Sequence, residues 1–125
     1  MLTSDQQQQM VSIVSNDARV QALISGLTTT SSKLAAWPNS QGTVIGGVMI
    51  LSLAPPATLE QEWRSISWAD STGTTYVVTV YTAKLSNITT IDIWVDLQKG
   101  AVVGWSPNSD ATIVTPPTIV ATVTE

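Results

Sequence analysis

The chain has 125 residues and a net charge of −4; 43% of its residues are hydrophobic and only 11% are charged. This length predicts one domain with a single core. The five basic residues are scattered, so nucleic-acid binding and attachment to anionic membranes lack their usual positive patch. The chain has no His and no Cys, which excludes disulfides, thiol chemistry and the preferred ligands of zinc and copper.

The first 26 residues predict an N-terminal helix, or two short helices. Ser4 begins a capping-box pattern with Gln7, and residues 15–17 offer a second set of capping side chains. Gly26 is expected to end the helical region. One apolar stripe at helical spacing, which we interpret as core packing, contains Met10, Ile13, Val14, Val20, Leu23 and Ile24.

From residue 31 onward the pattern is typical of β-strands. Strands are expected over residues 31–37, 44–53, 60–69, 74–83, 88–97 and 101–106. The first half of 60–69 also fits a helix, but a turn at 70–73 favours a strand. Pro55 and Pro56 are expected to end one strand, and Pro107 to close the regular part. Gly46 and Gly47 suggest a bulge or a close contact with the helix.

Residues 91–105, IDIWVDLQKGAVVGW, predict a β-hairpin with its turn at Gly100. The alternation places Ile91, Ile93 and Val95 on the core side of the strand. Asp92, Trp94 and Asp96 then share the opposite side, where we expect Trp94 to be partly exposed. Asp96 is also expected to hold the turn by accepting hydrogen bonds from backbone amides.

These elements predict an α+β fold in which the N-terminal helix packs on a curled antiparallel sheet of about five strands. Residues 1–110 are expected to form the single domain. Residues 111–125 are rich in Thr, Val and Pro. They fit an added edge strand, the end of a linker, or a segment that pairs with another subunit.

Two segments of the sequence resemble those of a known family. Residues 16–26 read NDARVQALISG and residues 94–104 read WVDLQKGAVVG. A helix ending in V-x-x-L-x-x-G and a closing hairpin of the form V-D-L-x-x-G-x-V-V resemble PepSY-type domains of exported prokaryotic proteins, and more loosely the cystatin-like fold. The resemblance covers roughly residues 5–106. The chain departs from it at 54–73, in its Trp content and in its C-terminal tail.

The resemblance implies a binding or inhibitory module without catalytic activity, because PepSY-type domains occur in propeptides that inhibit thermolysin-type proteases and in envelope proteins. The low charge and the many Ser and Thr residues are common in secreted or cell-surface proteins. We therefore expect an extracellular or cell-envelope location, although residues 1–15 show no signal-peptide pattern. The longest apolar run, residues 44–53, is too short for a membrane helix, so no membrane insertion is expected.

Five Trp and no Phe make the aromatic residues the candidate contacts. Trp rings offer flat platforms for a protein or peptide partner or for a glycan, and they also serve as core cover. The candidate binding residues are Trp94, Asp92, Asp96, Trp105 and Trp63. The alternative function is a structural subunit of a surface assembly, a homo-oligomer formed through the C-terminal strand.

Catalysis is not expected. Asp92 and Asp96 lie four residues apart on one strand, about 13 Å between Cα atoms, which is wide for a glycosidase pair. No Ser has a recognisable base, and no phosphate-binding glycine loop or calcium loop is present. The sequence therefore predicts no cofactor and no metal site.

Overall fold

The computed structural model describes residues 2–69, 75–113 and 118–124. Its elements are α1 (Ser4–Ser15), α2 (Ala18–Ile24), β1 (Thr29–Pro38), β2 (Val44–Trp68), β3 (Thr75–Asp96), β4 (Ala101–Ile113) and β5 (Thr118–Thr124). The strands form an antiparallel sheet in the order β1-β2-β4-β3-β5, and β2 also pairs along most of β3. The architecture is the expected α+β fold with two short helices.

The N-cap of helix α1 is Thr3, one residue before the predicted capping position at Ser4. The Thr3 hydroxyl accepts a hydrogen bond from the Gln6 amide, and the Gln6 side chain accepts one from the Thr3 amide. This reciprocal pair satisfies two amides that the first helical turn would otherwise leave free. The helix then buries Met10 and Val14 against the sheet.

The N-cap of helix α2 is Asp17, which is one of the residues predicted to cap a second helix. The Asp17 carboxylate accepts a hydrogen bond from the Val20 amide at 3.0 Å. The last residue of α2 is Ile24 and its C-cap is Ser25, one residue before the predicted Gly26, which does not have the positive φ of a glycine cap. Val20 and Leu23 are buried and extend the apolar surface that α1 begins.

The two longest strands bend at the same level of the sheet. The pairing of β2 with β3 is irregular between Ser52 and Ala57, and that of β3 with β4 is irregular between Ser86 and Thr90, where Asn87 has a φ of 58°. Pro55 and Pro56 occupy the β2 side of this bend, where β2 does not pair with β3. The strand therefore continues past them, which corrects the prediction that they end it.

The bend divides the sheet into two halves. The proximal half contains β1, residues 44–52 of β2, residues 90–96 of β3 and the start of β4. The distal half contains residues 57–68 of β2, residues 75–86 of β3, and β5. The distal half folds back onto the start of β4, where Arg64 pairs with Trp105.

Gly104 permits this close approach of the two halves. A Cβ at this position would lie 2.9 Å from the Arg64 carbonyl oxygen and 2.9 Å from the Ile66 side chain. Both distances are too short for carbon, so the absence of a side chain at Gly104 is required for the observed curl.

The curled sheet has an apolar cluster on each face. The cluster beneath the helices, here called the helix-side core, includes Met10, Val14, Val20, Leu23, Met49, Leu51, Trp63, Ala83, Leu85, Ile88, Ile91, Ile93, Val95 and Trp105. The second cluster, on the other face, is built around Trp37, Ile45, Val48, Tyr76 and Val78.

The strands are longer than the sequence predicted. Residues 60–69 are a strand for all but the last residue, as favoured, but they belong to β2. The separate strands predicted at 74–83 and 88–97 lie largely in β3, and β4 continues beyond Pro107 to Ile113. Part of the tail forms β5, which pairs with β3 as the edge-strand interpretation expected. The predicted turn at 70–73 lies outside the described residues.

Candidate binding surface

Strand β3 places its side chains on two faces as the alternation predicted. Ile91, Ile93 and Val95 are fully buried in the helix-side core. Trp94 lies on the opposite face, partly buried against the second cluster. The prediction of a partly exposed Trp94 is confirmed.

Four aromatic rings meet on this opposite face, and we call them the aromatic cluster: Trp37, Trp68, Tyr76 and Trp94. Trp37 lies at the centre, with ring centroids 4.9 Å from Tyr76, 5.2 Å from Trp94 and 6.0 Å from Trp68. The rings are tilted by 46° to 79° rather than stacked, a geometry that favours edge-to-face attraction. Trp37 and Trp94 belong to the proximal half and the other two rings to the distal half, so the cluster joins the halves.

A small groove opens within this aromatic cluster. It has a volume of about 110 Å³ and is lined by Trp37, Ile66, Ser67, Trp68 and Trp94. Trp68 is the most accessible of these rings, with 37% of its surface exposed. Trp94 Nε1 is buried and makes no hydrogen bond within the described structure. Trp94 thus contributes to the lining of the groove, and its buried Nε1–H has no acceptor in the described structure.

Asp96 is fully buried at the inner end of the aromatic cluster. Its carboxylate accepts a hydrogen bond from the Tyr76 hydroxyl at 2.7 Å and one from the Lys99 amide at 3.0 Å. The second bond confirms its predicted task of holding the turn, in which Gly100 has a φ of 68°. Asp96 has no exposed surface for a ligand, which corrects its assignment as a candidate contact.

Asp92 shares this face of β3 but lies closer to the bend. Partial burial raises the pKa of its carboxyl above the ordinary value of 3.8. It pairs across the sheet with Ile50 on one side and Ser106 on the other. It remains partly accessible and can receive a hydrogen-bond donor of a partner.

Trp63 and Trp105 lie in the helix-side core rather than on a binding face. Trp63 is fully buried, and its Nε1 donates to the Ala83 carbonyl at 3.3 Å. Trp105 is 5% exposed, and its Nε1 donates to the Glu62 carbonyl at 3.2 Å. Neither ring offers a platform in this structure, so their assignment as candidate contacts is corrected. The distal half folds over Trp105, where Arg64 pairs with it, and such a contact cannot be deduced from alternation within one strand.

Two arginines cover the Trp105 ring. The guanidinium of Arg19 lies 5.0 Å from the ring centroid and that of Arg64 lies 5.6 Å from it, within the range of cation–π attraction. Arg19 also donates to the Val102 carbonyl at 3.2 Å and so ties α2 to β4.

Arg19 further pairs with Asp17 at 3.2 Å. Partial burial of Asp17 opposes its ionisation, but hydrogen bonds from Arg19 and from the Val20 amide outweigh it and hold the pKa below its usual value. This group of charges is engaged in fixing α2 to the sheet, so we interpret it as structural.

Within residues 2–69, 75–113 and 118–124, no three Asp or Glu side chains come together in a group that could hold a metal ion. No helix in the same ranges is long and apolar enough to cross a membrane. The chain matches no family model, and it matches no curated protein and no solved structure.

Proposed function

We propose that this chain is a non-catalytic binding or inhibitory module of the cell envelope or extracellular space, similar in kind to PepSY-type domains. It binds a protein or peptide partner through the aromatic cluster, with Trp68 and Trp94 at the contact. The single observation that carries this proposal is the groove of about 110 Å³ lined by Trp37, Trp68 and Trp94.

The groove has the size and chemistry of a slot for one apolar side chain. Its lining is three indole rings, one Ile and one Ser. Aromatic anchors of this kind dominate the energy of protein interfaces when a partner side chain removes the remaining water.

A glycan is the less favoured ligand. A sugar ring binds best on a flat, open aromatic face, but here the rings are tilted against one another and only Trp68 is more than a third exposed. The slot between the rings fits a protruding side chain better than a flat ring.

The test is a selection of peptides from a displayed random library on the immobilised chain, followed by measurement of Kd for the enriched peptides. We expect them to bind at least tenfold more weakly to Trp68→Ala, because truncation removes one wall of the groove. Val11→Ala is the matched control, since Val11 is also exposed but lies on α1. Peptides that bind Trp68→Ala as well as the native chain would overturn the proposal.

Indole ¹⁵N–¹H spectra give a second readout on the native chain, which has five Trp. Binding at the groove should shift the Trp94 and Trp68 signals and leave that of Trp63 unchanged, because Trp63 is sealed in the helix-side core. If chito-oligosaccharides shift these signals and peptides do not, the groove binds a glycan rather than a peptide. Inhibition of thermolysin by the chain would show that the module is inhibitory rather than a binding module alone.

A further inference from the structure

One tripeptide of the chain has the sequence of an acceptor for asparagine-linked glycans. Residues 87–89 read NIT, and the pattern N-x-S/T, with x other than Pro, is the signal that oligosaccharyltransferases recognise. The other three Asn residues lack Ser or Thr two positions later, because Ala18, Gln41 and Asp110 stand there. Any modification of this class is therefore confined to one place in the fold.

The triplet presents its two functional side chains to solvent. Asn87 and Thr89 are exposed, whereas Ile88 between them is fully buried in the helix-side core. Ile88 thus anchors the segment, and the carboxamide and the hydroxyl on either side of it face away from the core. A branched glycan is far larger than any side chain, so only an outward position of this kind can carry one.

The sheet ladder is interrupted at both exposed residues. In the described part of the sheet, neither Asn87 nor Thr89 has a partner residue in β2 or β4, and only Ile88 is paired, with Ala57. Asn87 has a φ of 58°, which turns the chain out of the regular strand. An enzyme can therefore reach these two residues without breaking a ladder pair of either one.

The bend alone accounts for Asn87 but not for Thr89. Asn is one of the few residues other than Gly that are enriched at positive φ, so the backbone by itself favours Asn at position 87. A hydroxyl two residues later is not a requirement of the bend. Thr89 is therefore the residue that the backbone leaves unexplained and the acceptor signal explains.

The two segments that form the bend carry no charged residue. Residues 86–90 read SNITT, and the facing segment of β2, residues 54–58, reads APPAT with Pro55 and Pro56 exposed. The donor in N-glycosylation is a lipid-linked oligosaccharide diphosphate, which is an anion. No carboxylate of these two segments repels it from Asn87.

We propose that Asn87, in the folded bend, is an acceptor for an N-linked glycan; this inference rests on the proposed location, because such glycans are attached during export. Asn87 Nδ2 forms a bond to the anomeric carbon of the donor sugar. The bond between that carbon and the diphosphate oxygen breaks, the lipid diphosphate leaves with the electron pair, and the amide proton passes to a base of the enzyme. Thr89 is a positioning residue, since its hydroxyl is the group that the enzyme binds. Asn87 does not line the groove at Trp94, so the two sites are separate.

Secretion of the full chain from a eukaryotic cell that N-glycosylates exported proteins tests the acceptor. Intact-mass spectrometry should show a glycan on most molecules, which peptide N-glycosidase removes while converting Asn87 to Asp. Thr89→Val keeps Asn87 and the β-branched shape, and we expect it to lower the modified fraction at least tenfold, whereas Thr89→Ser retains the glycan. Circular dichroism and Tm check that both variants are folded. A folded native chain secreted without a glycan, or equal modification of Thr89→Val, would overturn the proposal.

A second experiment tests whether the folded bend is accessible. The unmodified, folded chain and a synthetic peptide of residues 83–93 are each incubated with an oligosaccharyltransferase and a lipid-linked oligosaccharide. We expect the folded chain to be modified at a rate within tenfold of the peptide, and modification of the peptide alone would overturn the proposal. Peptide binding at the groove should be unchanged in Asn87→Gln. Failure of the peptide selection with Asn87 glycosylated would refute the groove and leave this site standing.

Discussion

The two faces of the curled sheet bury apolar residues in different ways. On the helix-side face, fully buried residues such as Ile91, Ile93 and Val95 pack beneath two helices. On the other face, aromatic rings share the interior with Asp96, and the Trp94 N–H has no partner. The first face is therefore a purely apolar core, whereas the second mixes aromatic rings with buried polar groups.

The largest expected difference between the faces is in Trp truncation. Trp63→Ala should lower the free energy of unfolding by about 3–5 kcal/mol, because a fully buried ring leaves a large cavity. Trp68→Ala should cost much less, since that ring is 37% exposed and can be replaced by water. Denaturant unfolding of the two variants measures the contrast. Similar losses would mean that the aromatic face is as essential for folding as the helix-side core.

Gly46 and Gly47 are neighbours that test the two faces separately. A Cβ at Gly46 would collide with the Val95 backbone carbonyl, whereas one at Gly47 would meet the flexible side chain of Met10. We expect Gly47→Ala to cost about 1–2 kcal/mol and Gly46→Ala about 3 kcal/mol, because Met adapts and a strand backbone does not. Gly26→Ala is the control, with nothing within 4 Å of its Cβ. An equal cost at 46 and 47 would contradict this distinction.

Removing the Tyr76–Asp96 hydrogen bond measures how much the buried polar groups of the aromatic face contribute to stability. Tyr76→Phe keeps the ring and removes the hydroxyl that donates to the Asp96 carboxylate at 2.7 Å. We expect a loss of about 1–3 kcal/mol in the free energy of unfolding, the range for a buried acceptor deprived of a donor. Tyr81→Phe is the matched control, since Tyr81 is only partly buried. A larger effect in the control would show that the bond contributes little.

The smallest expected effect concerns the charge of Asp92. Burial raises the pKa of this carboxyl above 3.8, so the folded protein holds the proton more tightly than the unfolded chain does. Stability contributed by the protonated form is therefore lost as pH rises from 3.8 through the folded pKa. Asp92→Asn should have a higher Tm than the native chain at pH 7, and the difference should vanish near pH 3.

Asp17→Asn should change stability in the opposite direction from Asp92→Asn. The pKa of Asp17 is lowered in the folded protein, so its ionised form stabilises the fold above the unfolded pKa, and this stability is lost as pH falls through the folded pKa. The variant should have a lower Tm at neutral pH and approach the native value in acid, while Asn keeps the helix cap. Parallel pH profiles for the two variants would refute both assignments.

Local patterns in the sequence predicted much of the fold. Alternation placed Ile91 and Ile93 inside and Trp94 on the other face, because a strand has a period of two residues. The Asp17 cap and the Gly100 turn were predictable because they depend on neighbouring residues alone. The close contact of Gly47 with the N-terminal helix was also indicated by the sequence.

The length of the strands was not predictable from local signals. Proline normally ends a strand because it cannot donate a ladder hydrogen bond. At Pro55 and Pro56 the sheet bends and β2 makes no pairs with β3, so no donor is needed there. At Pro107 the strand pairs with β3 only, and β4 continues. In both cases the pairing with neighbouring strands, rather than the local sequence, determined that the strand continues past the proline.

The candidate site was only partly predictable for a related reason. Trp94 was recognised from its own strand, but Trp37 and Trp68 reach it from β1 and from the far end of β2. The contact of Trp68 with Trp37 depends on the fold-back of the distal half. The fold-back also brings Tyr76 onto Asp96, so alternation within β3 assigned Asp96 to the surface in error. Trp63, a candidate because Trp rings can bind partners, is instead fully buried in the helix-side core.

The shared bend of β2 and β3 also constrains the order in which the chain can fold. The backbone pairs of the β2–β3 hairpin can form progressively along the two strands. The Tyr76–Asp96 and Trp37–Trp68 contacts join the proximal and distal halves, so they can form only after the hairpin has bent back. Such late, non-local closure slows folding of β-rich proteins. We therefore expect Tyr76→Phe to accelerate unfolding and leave the folding rate nearly unchanged in stopped-flow measurements, with an equal effect on folding contradicting this order.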